Sequence, residues 1–151
     1  PITAQSMGIM LCGTVLGAKR GTLAVLLFIT LTALGLPLLS GGRGGLGIFA
    51  SPSVGFIVGF PLAAYVAGLI TTKLKMVKIF YSSLLGAIIG GIFVLYIPGI
   101  IGMSIILGKS ISEATVIALI YLPGDLIKAF LCATLTQTLF KLRPADVLSR
   151  S

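Results

Sequence analysis

Apolar residues run in long stretches along this chain, and the polar ones collect between them. Five stretches stand out, at about residues 2–16, 22–39, 54–70, 79–97 and 123–140. Crossing a hydrocarbon core takes about 20 residues, or roughly 17 with little tilt. The pattern therefore predicts an all-α, polytopic helical membrane bundle with five visible spans. The first stretch is short, which predicts a helix that begins partway into the membrane or packs inside the bundle. A weaker apolar piece, residues 100–107, follows Pro98-Gly99 and is too short to cross, so it is expected at the surface. Residues 113–122 predict a short helix that Pro123 ends or bends.

Composition agrees with this class. Hydrophobic residues make up 57% of the 151 residues and charged ones 9%, against about 25% charged in soluble domains. The mean hydropathy is +1.18. The whole chain, 1–151, is read as one integral membrane domain in the lipid bilayer, too small for separate soluble and membrane parts. There is no histidine, and Cys12 and Cys132 both lie inside apolar runs, where they read as small buried hydrophobes. No metal site or cofactor is expected.

The net charge of +8 could suggest nucleic acid, but no basic stripe or RNA-binding motif accompanies it. Its placement makes a topology signal instead. Lys19 and Arg20 separate the first two stretches, Lys73, Lys75 and Lys78 the third and fourth, and Lys141, Arg143 and Arg150 follow the fifth. With alternating crossings these all fall on one side, which the positive-inside rule makes cytoplasmic. The other side holds Arg43 and Lys109, apart from Lys128 within the fifth stretch. Residue 1 is then outside, and a further helix upstream would return the start to the cytoplasm and make six. Pairs of small residues four apart (Gly13/Gly17, Gly55/Gly59, Ala63/Ala67, Gly86/Gly90, Ala129/Ala133) allow helices to approach closely, either within the chain or toward a partner.

Candidate chemistry lies in the outer half. In Pro123-Gly124-Asp125-Leu126-Ile127-Lys128, two charges stand at the mouth of a helix whose next twelve residues, Ala129 to Phe140, carry none. At a spacing of three they share a face. Asp125 could serve as an acid favoured by the helix dipole. Lys128, a turn deeper, has no such role, and ionisable groups at membrane depth mark binding or transport sites. Gly41-Gly42-Arg43-Gly44-Gly45-Leu46-Gly47 offers flexible backbone, exposed amides and a guanidinium suited to a carboxylate, or else is a flexible outer loop. Gln5 reads as an interhelical hydrogen bond or a ligand contact. Phe49, Phe56 and Tyr121 form an interfacial belt or wall an apolar pocket. Together these residues suit a small amphiphilic anion.

In this order the motifs resemble the BioY family, the biotin-specific S component of energy-coupling factor (ECF) transporters. Pro1-Ile2-Thr3-Ala4-Gln5-Ser6 is similar to the family's P-x-T-x-Q entry to its second helix, and Leu16-Gly17-Ala18-Lys19-Arg20-Gly21 to its cytoplasmic turn. Gly35-Leu36-Pro37 and the run around Arg43 look like its outer Gly-rich connection, Pro52-Ser53-Val54-Gly55-Phe56 like its P-T-G-G-Y segment, and Pro123 to Lys128 like its P-G-D-x-x-K signature. The resemblance covers about 130 residues. It implies a six-helix fold whose first helix, with the Ala-rich docking motif, lies upstream of Pro1. It also implies a plasma-membrane biotin-binding subunit that works with a transmembrane coupling subunit and two cytoplasmic ATPases. Carried over by motif, the site is Gln5, Arg43, Gly44, Gly45, Phe56, Asp125 and Lys128. Asp125 would accept from the ureido N–H groups, and Lys128 would donate to the ureido oxygen or the carboxylate. Arg43 with the Gly44 and Gly45 amides would close the loop, and Gln5 would orient the ligand. Phe56 and Ser53-Val54 depart from the family's Tyr and Thr-Gly, so a hydroxyl contact is lost at position 56.

Three other readings compete. An S component for another vitamin would keep the same fold. A ligand-free membrane scaffold does not explain Asp125 and Lys128 together in an apolar helix. An intramembrane aspartyl hydrolase needs two carboxylates sharing a proton, and the other acids, Glu113 and Asp146, are expected near the surface on opposite sides. The chain is not expected to be an enzyme.

Overall fold

Two helices carry most of the fold, and both are apolar on nearly every side. The computed structural model describes residues 4–150; the start of the first stretch and the Pro1-Ile2-Thr3 part of the first motif lie outside them. Helix α1 is Gln5–Leu16, α2 Ala18–Ala33, α3 Val54–Lys73, α4 Ile79–Leu107, α5 Ile111–Leu119 and α6 Leu122–Leu142. Helix α3 is central and packs against α1, α2 and α4, while α6 closes the bundle against α1 and α4.

By length and composition, α3 and α4 can each cross a membrane; α5 and α6, bent by 53° at their junction, add a third only if the pair counts as one broken span. That is fewer than the five visible spans expected. Helix α1 has 12 residues and α2 has 16, about 18 and 24 Å at 1.5 Å per residue. The second stretch was expected to run to Leu39, but the helix ends at Ala33. Gly35 has φ +118°, a backbone that L side chains avoid, and Pro37 follows. Lys19 and Arg20 belong to the first turn of α2, since Gly17, at φ +86°, makes the whole turn between α1 and α2.

Residues 100–107 are also corrected. They do not lie apart at the surface but continue α4, a single helix of 29 residues. Proline removes one helical N–H, and its ring crowds the carbonyl four residues back. For Pro98 that carbonyl belongs to Val94, the last residue of a π-helical turn at Ile89–Val94. The wider turn makes room where the ring needs it, the kind of adjustment that keeps proline inside membrane helices. Gly108, in the left-handed conformation, then ends α4. Ser110 caps α5 by accepting from the Glu113 N–H at 3.2 Å, the serine half of a capping box. The short helix expected over residues 113–122 runs Ile111–Leu119 instead, and α6 takes over at Leu122 with Pro123 in its first turn.

The small-residue pairs are consumed inside the chain. A Cβ on Gly90 would lie 2.6 Å from the Ala63 oxygen, and one on Gly86 2.6 Å from the Ala67 oxygen. A Cβ on Gly102 would lie 2.6 Å from the Gly55 nitrogen. Helices α3 and α4 therefore touch along their backbones. Ala129 and Ala133 are fully buried. Leu23, Leu27, Phe93, Ile97 and Phe130 point outward instead, as an apolar solvent would require.

One end of the bundle gathers the basic loops. Ser149 donates to the Thr14 carbonyl, and the Arg150 guanidinium donates to the carbonyls of Lys75 at 2.8 Å and of Leu74 and Val77 at 3.1 Å. Partial burial lowers the Arg150 pKa. The α1–α2 turn, the α3–α4 connection and the C-terminal segment thus meet, bringing Lys19, Lys75 and Arg150 to the same end.

Candidate functional site

At the other end a cavity of about 600 Å³ opens among α1, α3, α4 and α6, within the roughly 300–1,000 Å³ usual for small-molecule sites. Its floor is built by the first turns of α1 and α6. Pro123 sits in the first turn of α6, where its fixed φ suits the helix and it has no N–H to satisfy. This places Asp125 one turn in, 6% exposed, with its N–H donating to the Tyr121 carbonyl at 3.0 Å. Lys128 follows on the same face, its Nζ 3.2 Å from Asp125 Oδ1. Ser6 of α1 sits between them, accepting from Lys128 Nζ at 3.0 Å and donating to Asp125 Oδ1 at 3.3 Å. The second carboxylate oxygen, Oδ2, accepts from the Tyr96 hydroxyl of α4. A buried ion pair is tolerated only with such additional hydrogen bonds.

The mouth is built by the glycine-rich loop. Ser40-Gly41-Gly42-Arg43 turns back on itself, with the Leu39 N–H donating to the Arg43 carbonyl at 3.1 Å. Gly41 and Gly42 both have positive φ, +78° and +72°, a backbone that glycine takes without steric cost. The turn presents Arg43, exposed, at the cavity edge, where Nε donates to the Ser40 carbonyl at 3.3 Å and Nη1 to Ser53 Oγ at 3.5 Å. Gln5 Oε1 accepts from the Ser40 N–H at 3.3 Å, tying α1 to the same turn. Between mouth and floor the wall is apolar, with Phe56, Phe60, Leu95 and Met103. Phe56 meets Tyr96 edge to face, ring centroids 6.1 Å apart.

Of the residues singled out in the sequence, Gln5, Arg43, Phe56, Asp125, Lys128 and Tyr121 come together on this cavity. Gly44 and Gly45 are not among its lining residues. Gly44 packs on the Leu36 backbone, and the Gly45 N–H donates to the Thr32 carbonyl at 2.7 Å, at the end of α2. The Gly45 amide holds the loop to the helix. Phe49 is 38% exposed and stands outside the cavity. Sequence reading missed Ser6, Ser40, Ser53 and Tyr96. Only Tyr96 left a signal, because a phenol inside an apolar stretch needs a partner for its hydroxyl.

The profile of the BioY family matches residues 1–145. The chain belongs to the BioY family. Among BioY relatives, it is 43% identical to the biotin transporter BioY of Rhodobacter capsulatus, over 99% of this chain and 84% of that protein. It is 48% identical to the biotin transporter BioY of Rhizobium etli, over 89% and 75%. Its fold superposes on the crystal structure of the S-component for biotin from an ECF-type ABC transporter with a TM-score of 0.87, at 32% identity, covering 93% of this chain and 76% of that one. These matches span both the α1–α6 bundle and the segments that line the BioY cavity.

Proposed function

We propose that this chain is the membrane-embedded biotin-binding subunit, the S component, of an ECF-type transporter. The observation that carries this reading is the likeness to the biotin S-component at a TM-score of 0.87 over 93% of the chain, joined to family membership over residues 1–145. The cavity supplies the chemistry. A carboxylate offers about four acceptor positions and an ammonium three donors. Asp125 uses three positions, toward Tyr96, Ser6 and Lys128, and Lys128 uses two donors, toward Asp125 and Ser6. One acceptor and one donor remain, on residues one turn apart that both line the cavity, for a cyclic urea that carries an N–H next to a carbonyl. The aliphatic part of biotin then lies along Phe56 and Phe60, and its carboxylate reaches Arg43 at the mouth, whose guanidinium is the cation suited to it. Gln5, hydrogen-bonded to the mouth turn, orients the ligand.

In this reading all five of α1, α2, α3, α4 and the α5–α6 pair cross the plasma membrane. The short ones do so packed inside the protein, the basic end faces the cytoplasm and the cavity faces outward. The subunit works with a transmembrane coupling subunit and two cytoplasmic ATPases, which supply the energy. Biotin titration of the purified protein tests the core of the proposal. The wild type binds, and Asp125→Asn loses at least about tenfold in affinity, or about 1.4 kcal/mol. Absence of binding by the wild type rejects the ligand, and an affinity left unchanged by Asp125→Asn rejects the site.

A further inference from the structure

Phe56 lies against a glycine. A Cβ built on Gly99 would meet the Phe56 ring at 2.5 Å from Cε1, 2.6 Å from Cζ and 2.7 Å from Cδ1. No real Cβ approaches a ring so closely, so something must move if residue 99 gains a side chain. The helices cannot part to make room. Gly102 stands against the Gly55 backbone, and the Gly59 position against Pro98, where a Cβ would be 2.7 Å from Cγ. Helices α3 and α4 are thus already tightly packed on both sides of the Phe56–Gly99 pair, backbone on backbone at Gly55 and against the Pro98 ring at Gly59. What can move is the ring, about its own side-chain bonds, and the open space that Phe56 borders is the binding cavity.

We propose that Gly99 is a positioning residue that sets the width of the cavity: lacking a Cβ, it takes the Phe56 ring against α4 and keeps it out of the ligand space. The same contact holds Phe56 edge-on to Tyr96, whose hydroxyl fixes Asp125. Residue 99 therefore acts on the ligand through one aromatic ring, without touching it. The inference rests on the cavity being the biotin site. It adds that tolerance for a two-ring ureido head, rather than a slimmer one, is set from α4. No sequence motif around Gly99 states this, since the partner ring lies far earlier in the chain, on α3.

Titration calorimetry of the purified protein with biotin and with desthiobiotin, whose head has one ring rather than two, tests it. Gly99→Ala should weaken biotin by at least about tenfold and desthiobiotin by less. In a Phe56→Ala background the same change should alter biotin affinity by no more than about threefold, because the ring that transmits it is gone. Alanine favours a helix over glycine, so poorer helix formation would not explain a loss. If Gly99→Ala does not fold, Phe56→Trp narrows the cavity from the ring side and should show the same biotin-selective loss. Biotin affinity left unchanged by Gly99→Ala, or by Phe56→Trp should the first variant not fold, overturns the proposal. So does a loss equal in both backgrounds, or equal for both ligands. A wild type that binds neither ligand overturns the biotin reading itself, and with it the premise.

Discussion

Asp125 holds the site together because it is buried and yet has both oxygens engaged. Removing one partner of a buried pair leaves a charge that the interior cannot solvate, whereas hydrogen bonds to charged groups are each worth about 1.5–3 kcal/mol. Tyr96 is the cleanest place to measure this. Tyr96→Phe keeps the ring against Phe56 and deletes only the donor to Asp125 Oδ2. It should lower protein stability and biotin affinity by a combined amount of about 1.5–3 kcal/mol, read by thermal unfolding and by titration. If neither moves, the Tyr96–Asp125 bond contributes nothing to the site. The two charges were legible from their spacing alone. The hydroxyls were not, because Ser6 and Asp125 are 119 positions apart and serine and tyrosine are unremarkable in isolation.

Elements begin and end where local chemistry says they should, with one instructive exception. Gly17, Gly35 and Gly108 take positive φ at the ends of helices, Ser110 caps α5, and Pro123 opens α6. Capping and φ preferences act over a few residues, yet of these signals only Pro123 was read as a boundary; the second stretch was carried past Gly35 to Leu39 and the short helix was started at 113 rather than after Ser110. Ser110→Ala should cost about 1 kcal/mol of stability and leave biotin affinity within about twofold, since Ser110 lies outside the cavity. Chemical denaturation and titration would check the two halves, and an unchanged stability would deny the cap. Pro98 is the exception. Read locally it breaks a helix, yet α4 runs through it, because the π-helical turn up to Val94 and the packing of Gly55, Gly99 and Gly102 sustain the helix from outside.

At the scale of the whole molecule, polarity runs from one end to the other. The basic loops and the Arg150 strap share one end, and the cavity with Arg43 opens at the opposite one. In a protein lacking Cys12 and Cys132, Lys75→Cys should react with a membrane-impermeant thiol reagent only from the cytoplasmic side, and Lys109→Cys only from outside. The reverse pattern of labelling would invert the proposed orientation. The stripes of small residues belong to this scale too. Their spacing announced close packing, but only the assembled bundle showed that Gly55, Gly86, Gly90 and Ala129 spend it on helices of the same chain.

What the amino-acid order alone determined is what depends on composition and short-range chemistry: an all-helical membrane protein, its basic loops on one side, its family, and a charged pair one turn apart in an apolar helix. Solvent transfer and helical period decide the class, the sidedness and the pair, and both can be read in a window of about 20 residues; the family was read from the resemblance of its motifs. Tertiary structure alone decided which hydroxyls complete that pair, that the Gly45 amide serves α2, how many helices are long enough to span, and that a glycine on α4 makes room for a ring on α3. Those outcomes hang on distances of a few ångströms between residues far apart in sequence, where one missing Cβ settles the shape of the cavity.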